Sequence, residues 1–362
     1  MNRTGVRRVL SAVLSYGVVG LVLWLLYRTV GHSGTLSQAI GSISIAQVLV
    51  VSALGLIYLA SMFRPMTYTL PGLTTRQAGV ARTASLALAN TVPEGGTVAT
   101  GLTFAMYRSW GFGSADSTTS IIAIGIWTNL SRYTLMAVAL VLLMLFGSVS
   151  GSAVWVAAGA CAVVTVICVL IALAITSERF ARAAGTMLTA GRTRLARSFS
   201  KIEPQDMGEA VADFRIRLLG RVRTCWRALT VTMVLSQLLG ALVLGVSIRM
   251  AGLGRDEVGW LLIVVAFGAM WLAAFVAPTP GGLGVAEAAL VAVLGTGLTG
   301  DAQAELVAAV LLFRFATWLL PVPLGLIAYL YWRTTRNWRV ATRMSGQSPS
   351  DRHTRSEESG RW

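Results

Sequence analysis

The sequence predicts an all-α polytopic membrane protein made of two inverted repeats, each containing a broken, re-entrant helical hairpin. Three observations carry that prediction. Hydrophobic residues make up 55% of the 362-residue chain and charged residues only 12%, where a soluble domain carries about 25%. Several apolar runs reach roughly twenty residues, the length that crosses a bilayer. A proline–glycine break also interrupts an apolar stretch once in each half. The first reads Pro93-Glu94-Gly95-Gly96, then Val98 and Gly113; the second reads Pro280-Gly281-Gly282, then Val285 and Gly300. Proline and the later glycine are equally spaced in both. Paired interruptions at matching positions of two halves point to a transporter-type binding site.

The elements follow in order from apolar length and arginine placement. Residues 9–30 read as an uncleaved first helix, longer than a signal-peptide core and with no small-residue cleavage site after it. Arg3, Arg7 and Arg8 precede it, so it leaves the cytoplasm by the positive-inside rule. The connection 31–44 contains no Lys, Arg, Asp or Glu, as expected outside. Helix 45–63 returns toward Arg64 and Arg76. Segment 78–108 is apolar but broken at Pro93, and its arms are short. A hairpin that dips in and returns to the cytoplasmic side near Arg108 is expected. Helices 117–147 and 152–175 cross out and back and deliver the basic stretch 177–227 to the cytoplasm. Helix 228–250 exits. Segments 258–277 and 284–297 form the second hairpin, entered from the outer side, and helix 303–332 returns. The expectation is six full spans plus two hairpins in one transmembrane domain, 1–332. Repeat one covers about 45–175 and repeat two about 228–332. Both termini are cytoplasmic, at the cell membrane, and the polar tail 333–362 is disordered.

Opposite entry sides bring the two broken tips together near the bilayer midplane. Irregular backbone at that depth is tolerated only where it is buried in protein or lines a wet cavity.

The net charge of +15 raises nucleic acid as a partner, but its distribution argues against one. The basic residues gather at the amino terminus, in 177–227 and after Arg333, which is what topology demands. Basic stretches beside helices can also contact anionic lipid. Cys161, Cys168 and Cys225 have no metal-ligand spacing, and His32 and His353 lie far apart, so neither a metal site nor a Ser/His/Asp site is expected. No cofactor is implied. No phosphate-binding glycine loop occurs, so ATP is not expected as the direct energy source.

Five ionisable residues fall at or near membrane depth: Arg82, Glu94, Arg132, Glu287 and Arg314. Each costs a few kcal/mol at a helix centre, which makes each a functional candidate. Arg314 could anchor a lipid phosphate through two parallel hydrogen bonds, or serve as the structural partner of Glu287. Glu287 could balance that charge, accept a proton, or cap its own helix start. Arg132 is the mid-helix cation of the first half, with Asn129 one turn earlier on the same face. Glu94 sits on the break itself, where free backbone N–H groups could satisfy it. Arg82 is expected to reach the cytoplasmic interface, and Arg28, Arg249 and Glu305 to snorkel from helix ends. Gly95, Gly96, Gly281 and Gly282 permit tight reversal. The aromatic residues, among them Trp24, Tyr331, Trp332 and Trp338, read mostly as interface anchors.

The run Ala277-Pro278-Thr279-Pro280-Gly281-Gly282-Leu283-Gly284-Val285-Ala286-Glu287-Ala288-Ala289-Leu290, with Arg314 downstream in Leu311-Leu312-Phe313-Arg314, resembles the lysylphosphatidylglycerol synthase transmembrane family, also called flippase-like. The resemblance covers roughly 10–335. It implies a bundle with inverted repeats and re-entrant helices that moves lipids with large or charged headgroups between leaflets. The first half departs from the family pattern, since Asn129-Leu130-Ser131-Arg132 lacks a neighbouring acid. No soluble aminoacyl-transferase domain is present, so the chain is not expected to aminoacylate lipid. The leading expectation is a lipid translocase in which Arg314, with Arg132, holds an anionic headgroup. The alternative is a non-transporting membrane partner that presents a lipid to a separate glycosyltransferase or synthase. A headgroup-transfer enzyme with Glu287 as base is a third option.

Overall fold

The computed structural model describes residues 41–92, 95–146, 207–277 and 279–335. The expected helices 9–30 and 152–175, residues 177–206, the tail beyond 335, Pro93 and Glu94 lie outside the described residues.

All described secondary structure is helical. Helix α1, Ile45–Ser61, starts at a capping box in which the Ser44 hydroxyl accepts from Gln47 N–H and Gln47 Oε1 accepts from Ser44 N–H at 2.7 Å. The short helix α2, Phe63–Thr69, continues it after a break at Met62. Helix α3, Thr75–Thr91, opens on a second capping box, Thr74 with Gln77. Each box satisfies two backbone donors that a helix start leaves unpaired. α3 ends where Val92 turns extended, as expected of a residue preceding proline. Helix α4, Gly95–Ser109, runs from the break to Arg108, and helix α5 is Ser114–Phe146.

Helix α6, Met207–Met250, is 44 residues long. It begins well before 228, inside the stretch read from its charge as loop. Arginine is a good helix former, and the extension is held sideways: Leu218 packs with Ala123 of α5, and Arg221 Nη2 donates to Asp116 Oδ1 at 2.7 Å. Helix α7 is Trp260–Val276, followed by a 3-10 turn, Pro280–Gly282, and helix α8, Val285–Leu294. The last long span is continuous but not uniform. Helix α9, Asp301–Arg314, passes into a π turn, Phe315–Leu319, and then helix α10, Pro321–Thr334. Pro321 cannot donate and its ring crowds the carbonyl one turn back. The ladder widens there, and Leu320 N–H reaches five residues back to Phe315 O at 2.8 Å.

Among the described residues, four segments are long and apolar enough to cross a membrane: Ile45–Thr69, Ser114–Phe146, Arg223–Met250 and Asp301–Thr334. α3, α4, α7 and α8 are shorter, at 10 to 17 residues. At 1.5 Å per residue they reach at most about 25 Å, less than the hydrocarbon thickness of about 30 Å. They pair as α3 with α4 and α7 with α8, each pair flanking one glycine break. Large apolar side chains such as Leu49, Val138, Leu145 and Ile327 point outward, as a lipid-facing surface requires.

The main core joins α1, α6, α7, α8 and α9 through Tyr58, Leu244, Phe267, Leu290 and Phe313. A second core joins α2, α3 and α4 through Met66, Ala81, Met106 and Tyr107. α10 crosses α3 at Gly325, where a β-carbon would stand 2.2 Å from Ala87 Cβ and 2.5 Å from Thr83 O. Arg249, expected to snorkel, instead donates to the carbonyls of Leu253, Gly254 and Val258 and closes the loop between α6 and α7.

Candidate functional site

The second break supplies the backbone of the site. Gly281 has φ 58°, Gly282 70° and Gly284 84°, conformations that only glycine adopts at little cost. The reversal leaves the start of α8 with free N–H groups. Glu287, in the first turn, curls back so that its Oε2 accepts from Gly284 N–H at 2.6 Å. Its other oxygen accepts from Arg314 Nε of α9. Arg314 Nη2 also donates to Gly281 O at 3.1 Å. The pair is withdrawn from solvent, with side-chain exposures of 10% for Arg314 and 6% for Glu287. One arginine thus ties the last long span to the turn and to the acid that caps α8.

The first half meets this turn directly. Asn90, near the end of α3, donates from Nδ2 to Trp318 O of the π turn at 2.9 Å. A β-carbon at Gly281 would stand 2.3 Å from Trp318 Nε1 and 3.1 Å from Asn90 Oδ1. The residues flanking the first break and the turn of the second are in contact.

Between them lies a cavity of about 730 Å³, lined from α1, α3, α4, α5, α7, the 3-10 turn, α9 and the π turn. The volume falls in the range of small-molecule sites. Three guanidinium groups reach it, from Arg82, Arg132 and Arg314. Arg132 lies 18 residues from one end of α5 and 14 from the other, so it sits about 20 Å or more from either helix end. Arg314 is similarly deep in its span. The Arg132 guanidinium carbon lies 4.0 Å from the Trp271 ring centroid. Its Nε donates to Gln237 Oε1 at 3.3 Å and Nη1 reaches Asn129 Oδ1 at 3.5 Å. Arg82 donates to the Met62 sulfur at 3.0 Å, a weak acceptor. No Asp or Glu lines the cavity among the described residues. Glu287 is the partner behind Arg314, off the lining.

Five polar atoms on lining residues, Tyr58 Oη, Arg82 Nε, Trp271 Nε1, Thr279 Oγ1 and Trp318 Nε1, are buried with no hydrogen-bond partner among the described residues. Each such group costs about 1–3 kcal/mol when it has no partner.

A family model for the lysylphosphatidylglycerol synthase transmembrane region matches residues 7–325. The chain belongs to that family. Membership and the apolar helices together make it a multi-pass membrane protein associated with lipid handling, and the resemblance carried by Pro280 to Arg314 is borne out. Among curated individual proteins, no match to the chain is found.

In this family member, the cavity collects Arg132, Asn129, Gly95, Gly96, Gly281, Gly282 and Arg314 from the residues singled out by sequence. Pro280 is buried at the start of the turn. Pro93 and Glu94 lie outside the described residues. Arg82, expected at the cytoplasmic interface, faces the cavity instead, because α3 packs inward along Ala78, Ala81 and Ala84. Asn90, Thr279, Trp271 and Trp318 were missed. The two tryptophans resemble interface anchors by composition, yet their rings lie near arginines, with Trp318 5.8 Å from the Arg314 guanidinium carbon. Trp332, read as an anchor, packs on the second core and donates to Ser109 Oγ at 2.9 Å. One signal was available: Trp271 and Trp318 both fall in apolar segments well away from charged flanks.

Proposed function

We propose that this protein translocates lipids with anionic headgroups between the leaflets of the cell membrane, with both termini cytoplasmic and without chemically altering the lipid. The observation that carries the reading is the cavity with three guanidinium groups on its lining. Groups of this kind at membrane depth are costly unless they serve a ligand or an ion path. The broken pairs α3–α4 and α7–α8 are read as re-entrant hairpins of two inverted repeats, entering from opposite sides. Rocking of one repeat against the other around the shared cavity would expose it to each leaflet in turn. Arg132 and Arg314 hold the headgroup, Asn129 orients Arg132, and Glu287 keeps Arg314 in place and limits the excess positive charge. The glycines of both breaks give the headgroup close backbone approach. Glu94, adjacent to the first of these glycines, is assigned to the same site.

Reconstitution into vesicles containing fluorescent phosphatidylglycerol tests this reading. The labelled lipid should become accessible to an external quencher faster than in protein-free vesicles, and Arg132→Gln should slow it at least tenfold. Equal rates with and without protein, for anionic lipids of every headgroup tried, would end the proposal and leave a lipid-presenting partner of a separate enzyme. A chemically altered lipid recovered from the vesicles would indicate an enzyme.

A further inference from the structure

The buried side chains do not divide the molecule where its sequence halves divide. α1 packs into the main core through Val51 and Tyr58, with Leu244 of α6, Phe267 of α7 and Phe313 of α9. It is also held to α6, where Ser61 Oγ donates to Ser236 Oγ at 2.9 Å and Gln47 Nε2 to Met250 O at 3.1 Å. α2 continues α1 in the chain but packs elsewhere. Its Met66, and Leu70 just beyond it, join the second core with α3 and α4. The last span divides in the same way. Val310, Leu312 and Phe313 of α9 belong to the main core, while Ala328, Tyr329 and Trp332 of α10 pack on the second. α10 is fastened there by the close approach of Gly325 to Thr83 and Ala87 and by the bond from Trp332 to Ser109. α2, α3, α4 and α10 form one packed block drawn from both halves.

Each of these two spans is interrupted where it passes from one core to the other. At Met62 the ladder tightens, and Met62 N–H reaches only three residues back to Leu59 O at 3.2 Å. Pro65 follows in α2; it has no N–H for the Ser61 carbonyl, and its ring crowds that carbonyl. Between α9 and α10 the ladder widens instead, into the π turn ahead of Pro321. Kinks have causes of this kind, and short 3-10 or π stretches within a helix mark hinges and functional sites. Both interruptions border the cavity, Met62 on one side and Thr317, Trp318 and Pro321 on the other. The π turn is seated on α1, since a β-carbon at Gly55 would stand 2.8 Å from Ala316 O. α5 and α6 run past the boundary. In α5, Ile121 and Ile124 face the second core, whereas Tyr133 and Met136 pack with α7. Gly125 lies between these two sets, and glycine bends more readily than any other residue.

We propose that α2, α3, α4 and α10 move as one block, pivoting at Met62 and at the Phe315–Leu319 turn, and that this block, not a sequence repeat, is the unit whose motion opens the cavity. Hinges of this type absorb a change of backbone angle at a few positions while the packed bodies on either side stay intact. The proposal rests on the translocase reading for the purpose of the motion and redraws which helices share it. α1 stays with α7, α8 and α9 although it belongs to repeat one. α10 travels with α3 and α4 although it closes repeat two.

Two spin-label pairs separate the block from the repeats, in the full chain in nanodiscs with Cys161, Cys168 and Cys225 replaced by serine. Ile57 of α1 and Ala105 of α4 share a repeat but not a block. Ala105 and Leu330 of α10 share the block but not a repeat. All three positions are exposed, so cysteines placed there accept labels. Pulsed electron paramagnetic resonance reads the distances in phosphatidylcholine alone and with phosphatidylglycerol added. The Ile57–Ala105 pair should give two distances whose weights shift between the two lipid mixtures. The Ala105–Leu330 pair should give one distance, unchanged. Pro321→Ala lets the π turn close into regular helix. It should leave the first pair with a single distance and slow lipid exchange in vesicles at least fivefold, with an unfolding midpoint no lower than the parent's; if that variant does not fold, Pro65→Ala takes its place. Movement within the Ala105–Leu330 pair, or one fixed distance for Ile57–Ala105 in both mixtures, overturns the block. A proline variant that still samples both distances as the parent does overturns the pivot. Lipid exchange accompanied by movement within the block would leave the translocase standing without this hinge. The expected distances with no lipid crossing would keep the hinge and remove the translocase.

Discussion

Asn90 of α3 donates to the backbone carbonyl of Trp318, 228 residues later, at 2.9 Å. This bond joins the end of the first broken pair to the π turn of the last span, beside the Gly281 reversal. It is a direct contact between the two halves at the edge of the cavity. In a protein whose halves rock, such a contact is made in one access state and broken in the other. Asn90→Ala should therefore change the translocation rate by about 2–10-fold, the effect of one neutral hydrogen bond, measured as the initial rate of lipid exchange in vesicles.

The Arg314–Glu287 pair should behave as a buried ion pair. Glu287→Gln leaves a guanidinium without its counter-charge and should cost on the order of 3–5 kcal/mol, seen as a lower unfolding midpoint in detergent. Arg314→Met with Glu287→Met removes both charges. That double variant should recover most of the stability and none of the transport. A double variant less stable than Glu287→Gln would mean that the pair is needed for folding itself.

Trp271 should matter through Arg132. A desolvated guanidinium–indole contact contributes about 2 kcal/mol, so Trp271→Leu should slow anionic-lipid translocation by roughly 30-fold. Trp271→Tyr keeps an aromatic face and should retain a measurable share. The initial rate of quencher accessibility checks both.

Glycine positions should divide by what a β-carbon meets. Gly281→Ala combines φ 58° with a clash against Trp318 Nε1. It should destabilise the protein by more than about 1 kcal/mol and shift tryptophan fluorescence. Gly220→Ala on α6 meets nothing within 4 Å and should stabilise by about 0.5–1 kcal/mol through helix propensity. Thermal unfolding followed by tryptophan emission reads both.

Much of the fold was legible because membrane helices are announced by length and apolarity alone. The described long spans lie where apolar runs predicted them, and Pro280-Gly281-Gly282 is the reversal its composition implies. Arg314 and Glu287 were paired as one option from sequence, since each is intolerable alone at that depth. The helical stretch from 207 was not legible, because five arginines between 215 and 227 mark a loop by charge and a helix by propensity equally well. What fixes it is the lateral hold of Asp116 and Leu218.

Local pattern, then, was enough to place apolar spans, breaks and isolated charges, since the cost of exposing backbone or charge to hydrocarbon is paid residue by residue. Which way each side chain faces is a different matter. Arg82 turns inward, Trp271 and Trp318 move from a presumed interface to a cavity lining, and Glu287 withdraws behind Arg314. These outcomes depend on how the α3–α4 and α7–α8 pairs dock across the chain. The close approaches that allow this docking, Gly281 to Trp318 and Asn90 and Gly325 to Thr83 and Ala87, join segments from 37 to more than 200 residues apart, where no local sequence pattern reaches.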